Sequence, residues 1–262
     1  MWLPARLLRS LRPLWGAPPP AVELALGLAH RDARFPLDAL LEQGAHAMLV
    51  EIAATASGGN GLYRGLLASL GAFQAGLGSG AQGPIAVPSL QLLRERKASG
   101  CASLWLGTDV ANLEGEPALA PVLARLGFRW LVIRTPPEAA VLEAALAERF
   151  ACAVPAATSS HEVVRAVSPC IALARSAAEV GGDLMRAVAG GGGVVSLALD
   201  GHELEALPSL IERVGEDHLS LAPTREAVRR LARLRSGPSA AHKLLGGNLL
   251  RVLAFRSGEV HS

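Results

Sequence analysis

Cysteine is scarce in this 262-residue chain: Cys101, Cys152 and Cys170 are the three, and no two are spaced as CxxC. An odd, unpaired set excludes a disulfide framework and a zinc knuckle. Each lies in or beside an apolar run, so they read as buried free thiols in a reducing, cytoplasmic setting. Long hydrophobic runs are also lacking. None reaches the roughly 18 residues of a membrane-spanning helix. Charge of either sign is nearly balanced at a formal +2, which argues against a nucleic-acid partner. Lysine occurs only at Lys97 and Lys243, arginine supplying the other cations. That bias is typical of GC-rich coding sequence and carries no function. Phosphate-loop signatures are missing too. The Gly-rich stretches Ser57–Gly61 and Gly76–Gly83 have neither a following Lys-Ser/Thr nor a GxGxxG after a strand, so they read as turns.

What is present is aliphatic. Half of the residues are hydrophobic and mean hydropathy is +0.33, from Ala, Leu and Val of the kind that fills parallel strands and packed helices. Eight short apolar runs read as strands: Val22–Ala29, Ala47–Ala53, Ala102–Gly107, Trp130–Ile133, Cys152–Pro155, Cys170–Ala174, Val194–Leu199 and His218–Leu221. They do not alternate in polarity, which marks strands buried on both faces. Helical patterns separate them: Leu37–Gln43, Leu62–Ala75, Leu90–Lys97, Ala118–Leu126, Ala139–Glu148, Glu162–Val167, Leu184–Ala189 and Leu204–Val214, then Arg225–Arg235 and Ala240–Leu253. Eight strands in β/α order close most naturally into a (β/α)8 TIM-type barrel. A doubly wound open sheet is the other topology that fits. No composition shift divides residues 21–262, which read as one domain.

Residues 1–20 stand apart. Arg6, Arg9 and Arg12 interleave with Trp2, Trp15 and several leucines, no acid is present, and Pro18-Pro19-Pro20 ends the segment. The arginines break the apolar core that a secretory signal needs. The pattern suits a membrane surface, a docking helix for a protein partner or a second copy of the chain, or an organelle-targeting segment. An arm packed on its own domain is the plainer reading.

In a parallel barrel the active site lies at the C-terminal strand ends. The polar residues there are His30, Arg31, Asp32 and Arg34 after the first strand, Asp109 and Glu114 after the third, and Arg134 and Thr135 after the fourth. Thr158 to His161 follow the fifth, Arg175 and Ser176 the sixth, Asp200 and His202 the seventh, and Thr224 and Arg225 the eighth. Ser159-Ser160-His161-Glu162 before an apolar run reads as a helix cap, not a nucleophile with its base.

Three segments, Leu244–Val252, Ala111–Gly115 and Leu126–Leu131, together resemble the membrane (renal) dipeptidase family. The resemblance covers about residues 22–257. It implies a zinc-dependent barrel that hydrolyses dipeptides. It places the family's metal-bridging glutamate at Glu114. Its His-x-Asp motif falls either on Leu28 and His30, and is then lost, or on His30-Arg31-Asp32. The histidines of the fifth and sixth strands fall on Ala157 and Ala174, the aspartate after the eighth on Thr224, and a substrate-binding histidine on Thr135. Alanine cannot ligate a metal, and Arg175 beside Ala174 would repel a dication. The resemblance thus implies a catalytically degenerate pseudoenzyme without a cofactor, kept for binding. The alternative is a hydrolase with one zinc ion on His30, Asp32 and Glu114. A third reading is a metal-free enzyme whose Arg134 and Arg175 hold an anionic substrate. Outside any site, Glu114 also suits the start of the following helix, and His30 and Asp32 suit a surface ion cluster with their arginine neighbours.

Overall fold

The computed structural model describes residues 26–29, 47–54, 61–76, 85–99, 101–157, 160–179, 181–197, 203–221, 227, 231 and 238–258. Among the described residues, nine strands form one parallel sheet: β1 Leu26–Ala29, β2 Ala47–Glu51, β3 Ile85–Ala86, β4 Ser103–Asp109, β5 Phe128–Val132, β6 Ala151–Pro155, β7 Cys170–Ala174, β8 Val194–Leu197 and β9 Leu219–Leu221. Eight of them follow one another in the order β1-β2-β4-β5-β6-β7-β8-β9. These eight are the apolar runs read from the sequence, with ends shifted by a few residues. The two-residue β3 is additional. It pairs with Ser103 and Leu104 of β4, while β5 joins β4 only from Leu106 onward, after an irregularity in register. Strand β3 therefore fills the lower part of the β4 edge that β5 takes over. The sheet is curled as in a barrel; no pairing between β1 and β9 occurs among the described residues.

The helices are α1 Leu62–Gly76, α2 Leu90–Ala98, α3 Leu119–Arg125, α4 Ala139–Ala147, α5 His161–Ala166, α6 Gly182–Gly190, α7 Leu207–Val214, α8 Pro238–His242 and α9 Asn248–Ser257. Local chemistry sets several starts. Ser89 Oγ accepts from Leu92 N at the head of α2, and Ser160 Oγ accepts from Val163 N at the head of α5, as N-caps do. The second confirms the cap expected at Ser159–Glu162. The helix read at Leu37–Gln43 lies outside the described residues, as does nearly all of Arg225–Arg235.

Both sheet faces are buried, which is why the strands show no polar alternation. One face carries Met48, Val50, Leu104, Leu106 and Val154 against Leu66, Leu123, Val141 and Leu210 of the helices. The other carries Leu49, Trp105, Trp130, Val132 and Ile171 against Leu249, Val252 and Leu253 of α9. Hydrogen bonds lay α9 across the N-terminal strand ends. Arg251 donates to Gly192 O just before β8. Arg256 donates to Val167 O and Ser168 O before β7. Buried Asn248 donates to Leu219 O of β9. The C-terminal helix thus covers one end of the curled sheet, and the C-terminal strand ends form the opposite rim, the mouth.

Two of the cysteines are core groups. Cys152 of β6 and Cys170 of β7 are register partners, and both are fully buried. Burial pushes the Cys152 thiol up to about 11. Burial, with Cys152 beside it, pushes Cys170 up to about 12. A raised folded-state value favours the protonated thiol, so its stabilising effect is complete below the unfolded thiol value of roughly 8.5 and is lost as pH rises through the folded values. Stability is therefore expected to decline from about pH 9 toward pH 11. At pH 8 a disulfide thiol reagent should titrate the half-buried Cys101 in the native chain and reach Cys152 and Cys170 only after unfolding. Rapid native labelling of all three would contradict this packing.

Candidate functional site at the C-terminal mouth

Parallel strands put all their C-terminal ends on one edge. Glu51 ends β2, Asp109 ends β4, and Arg134 stands two residues beyond β5. Glu51 is 5% exposed. Arg134 Nη2 meets the Glu51 carboxylate at 2.7 Å, and Nη1 meets Asp109 Oδ2. The other Asp109 oxygen accepts from Ala111 N at 2.9 Å, capping the short 3-10 turn Val110–Leu113. Burial alone would lower the Arg134 pKa, but hydrogen bonds to Asp109 and Glu51 outweigh it and raise the guanidinium above its usual value. Beneath the triad, fully buried Thr108 donates to Ile52 O at 2.8 Å and accepts from Asn112 Nδ2 at 2.7 Å. This polar layer fixes β2 against β4 at the mouth.

Glu114 follows the 3-10 turn in a left-handed conformation, φ 51°. Its Oε1 accepts from Tyr63 N at 3.1 Å. Tyr63 is the second residue of α1, so Glu114 serves a helix N-terminus, where an anion is stabilised. The helix is the preceding α1, however, and not the following one that its neighbour Gly115 suggests. Gly61 makes this possible, because a Cβ there would collide with the Glu114 carboxylate. Gly61 thus admits a charged side chain beside the head of α1.

The other candidate positions share this edge where they are described. Ala157 is exposed in the turn after β6, Ala174 ends β7, and Arg175 follows with an exposed side chain. The Arg175 backbone N–H donates to Glu179 Oε2 at 2.8 Å. His30, Asp32 and Thr224 lie outside the described residues, as do Asp200 and His202. Glu51 is the site residue that the sequence reading passed over. Its signal is an acid ending an apolar run, Leu49-Val50-Glu51-Ile52.

The mouth admits a metal only in part. Among the described residues no three His, Cys, Asp or Glu side chains gather into a cation site. Glu51 and Asp109 do not fit, since the Arg134 cation already lies between them. Glu114 does fit as one donor, since Oε1 takes a single N–H and Oε2 accepts no hydrogen bond among the described residues.

No protein-family model matches the chain, and no curated protein matches it. Solved structures do, and they share its α/β architecture with a curled parallel sheet. An amidohydrolase from Pseudomonas aeruginosa superposes with a TM-score of 0.76 at 13% identity, over 91% of this chain and 99% of its own. The probable dipeptidase PvdM from Pseudomonas aeruginosa gives 0.72 at 11% identity, over 98% and 100%. A metallopeptidase from Rhodobacter sphaeroides, bound to a phosphinate mimic of the dipeptide L-Ala-D-Ala, gives 0.65 at 14% identity, over 94% and 95%. At these identities the likeness is one of fold. Among the described residues no helix is long and apolar enough to cross a membrane.

Proposed function

We propose that this chain is a divergent member of the dipeptidase family, a closed (β/α)8 barrel that hydrolyses dipeptides or similar small amides at its C-terminal mouth. The supporting observation is the Glu51–Arg134–Asp109 triad at that mouth, with Glu114 at the head of α1 beyond it, within an architecture shared along nearly its whole length with dipeptidases and an amidohydrolase. His30, Asp32 and Glu114 would hold one zinc ion, which would supply Lewis acidity for a scissile carbonyl and a more acidic water. Hydrolysis adds water to that carbonyl and breaks the C–N bond, and the amine departs with a proton.

The chain's own residues set the substrate. Two carboxylates against one guanidinium leave the triad with an excess negative charge, which suits the ammonium end of an unblocked dipeptide. Arg175, exposed on the same edge, suits the carboxylate end. Tyr63 N holds one Glu114 oxygen, and the other accepts no hydrogen bond among the described residues.

A second reading has its own observations. Ala157 and Ala174 stand where the resemblance places histidine ligands, and Arg134 occupies both described strand-end acids. A barrel so altered binds small peptides without cleaving them. The experiment is amine release from a dipeptide panel by the full, zinc-supplied chain. The proposal expects turnover of free-amine dipeptides above their N-acetylated forms. It also expects Glu114→Gln to cost more than about 100-fold, beyond the 10–100-fold that loss of an outer-shell support costs. No turnover of any dipeptide by the zinc-supplied chain would leave the second reading in its place.

A further inference from the structure

The opposite end of the sheet carries a second polar site. A pocket of about 240 Å³ is bounded by β4, β6, the α4–β6 turn and the end of α9, with Trp105, Arg129, Glu148, Arg149 and Arg256 in its wall. That is below the roughly 300–1,000 Å³ of pockets for drug-sized ligands, and suits a small group. Three guanidinium groups face one carboxylate.

Each guanidinium is anchored by backbone carbonyls, among them those of Pro88, Ala124 and Ser257 in the pocket wall itself. Arg129 donates through Nε to Pro88 O and through Nη1 to Ala124 O and Phe128 O. Arg149 donates through Nη1 to Ser257 O. Arg256 donates through Nε and Nη2 to Val167, Ser168 and Pro169 O. These bonds fix the planes and leave Arg129 Nη2, Arg149 Nη2 and Arg256 Nη1 without an acceptor among the described residues. None of the three arginines has a carboxylate in salt-bridge range there either. Carbonyl anchoring orients a guanidinium without cancelling its charge, the arrangement that suits bidentate oxyanion recognition.

Charge points the same way as geometry. Burial lowers the Arg129 pKa, which Glu148 only partly offsets, so the cation is short of negative charge. Arg149 itself is held at φ 63°, a left-handed conformation that a side chain adopts at a cost.

We infer that this N-terminal pocket binds a small oxyanion of the phosphate class, a phosphomonoester or free phosphate, remote from the mouth where substrate is proposed to bind. The test is calorimetric titration of the full chain with inorganic phosphate at fixed ionic strength in chloride. Saturable binding of one phosphate per chain is expected, with a change in tryptophan fluorescence. Arg149→Gln is expected to weaken it at least tenfold. Glu148→Gln, which removes the one acid of the wall, is expected to tighten it several-fold. Arg186→Gln, at an exposed pair with Asp183 elsewhere, should leave it unchanged. Absence of saturable binding in the wild-type chain overturns the inference, and so does binding that responds equally to all three substitutions. The opposite signs at Glu148 and Arg149 separate an effect on the site from a general loss of folding.

Discussion

Replacing Arg134 by methionine is expected to destabilise the chain by about 3 kcal/mol, the lower end of what breaking a buried ion pair costs. Glu51 is nearly inaccessible, and Arg134 supplies its salt bridge. Without the guanidinium, two carboxylates are left on adjacent strands, one of them without water. The partial exposure of Arg134 and Asp109, 27% and 19% of their side chains, keeps the expected cost from the upper end. The melting temperature should fall by roughly 6–10 °C. Adding Glu51→Gln and Asp109→Asn to Arg134→Met should recover most of the loss, because the penalty belongs to the orphaned charges. A single-variant loss below about 1 kcal/mol would mean that water reaches Glu51 and the triad is a surface feature.

Gly107→Ala is expected to be about as severe, near 3 kcal/mol, at the top of the usual range for overpacking. A Cβ at Gly107 of β4 would overlap the indole of Trp130 on β5. That ring cannot move cheaply. It is 1% exposed, and its Nε1 donates to Trp105 O at 2.9 Å. The strand register also shifts between Leu106 and Gly107, so the backbone is already adjusted to the ring. Denaturant unfolding of Gly107→Ala, Trp130→Leu and the double variant checks the contact. The double variant should lose clearly less than the two singles combined, since neighbours that share a space are not additive. Additive losses would show that ring and glycine do not compete.

The eight principal strands were legible because a parallel strand buried on both faces writes a continuous apolar run. Cys170–Ala174 and Val194–Leu197 are cases in point. Strand β3 was not, because a short stretch between Pro84 and Pro88 looks like loop, and Ile85 and Ala86 gain their pairing only from the free lower edge of β4. At the mouth, Asp109, Arg134 and Glu114 could be placed from strand order alone. Their partners could not. Glu51 reaches Arg134 across 83 positions and Glu114 reaches Tyr63 across 51, contacts that depend on neighbouring strands and on a glycine that makes room. The arginine pocket was out of reach for the same reason, since α9 returns across the sheet to bring Arg256 beside Arg129 and Arg149.

The most direct test of the account is the zinc content of the full chain, purified after growth with zinc and measured by elemental analysis beside Glu114→Gln and His30→Ala. The account predicts one zinc per wild-type chain and well under half an equivalent in either variant, with circular dichroism unchanged. A wild-type chain that binds no zinc, or that keeps its zinc when both Glu114 and His30 are replaced, would contradict it.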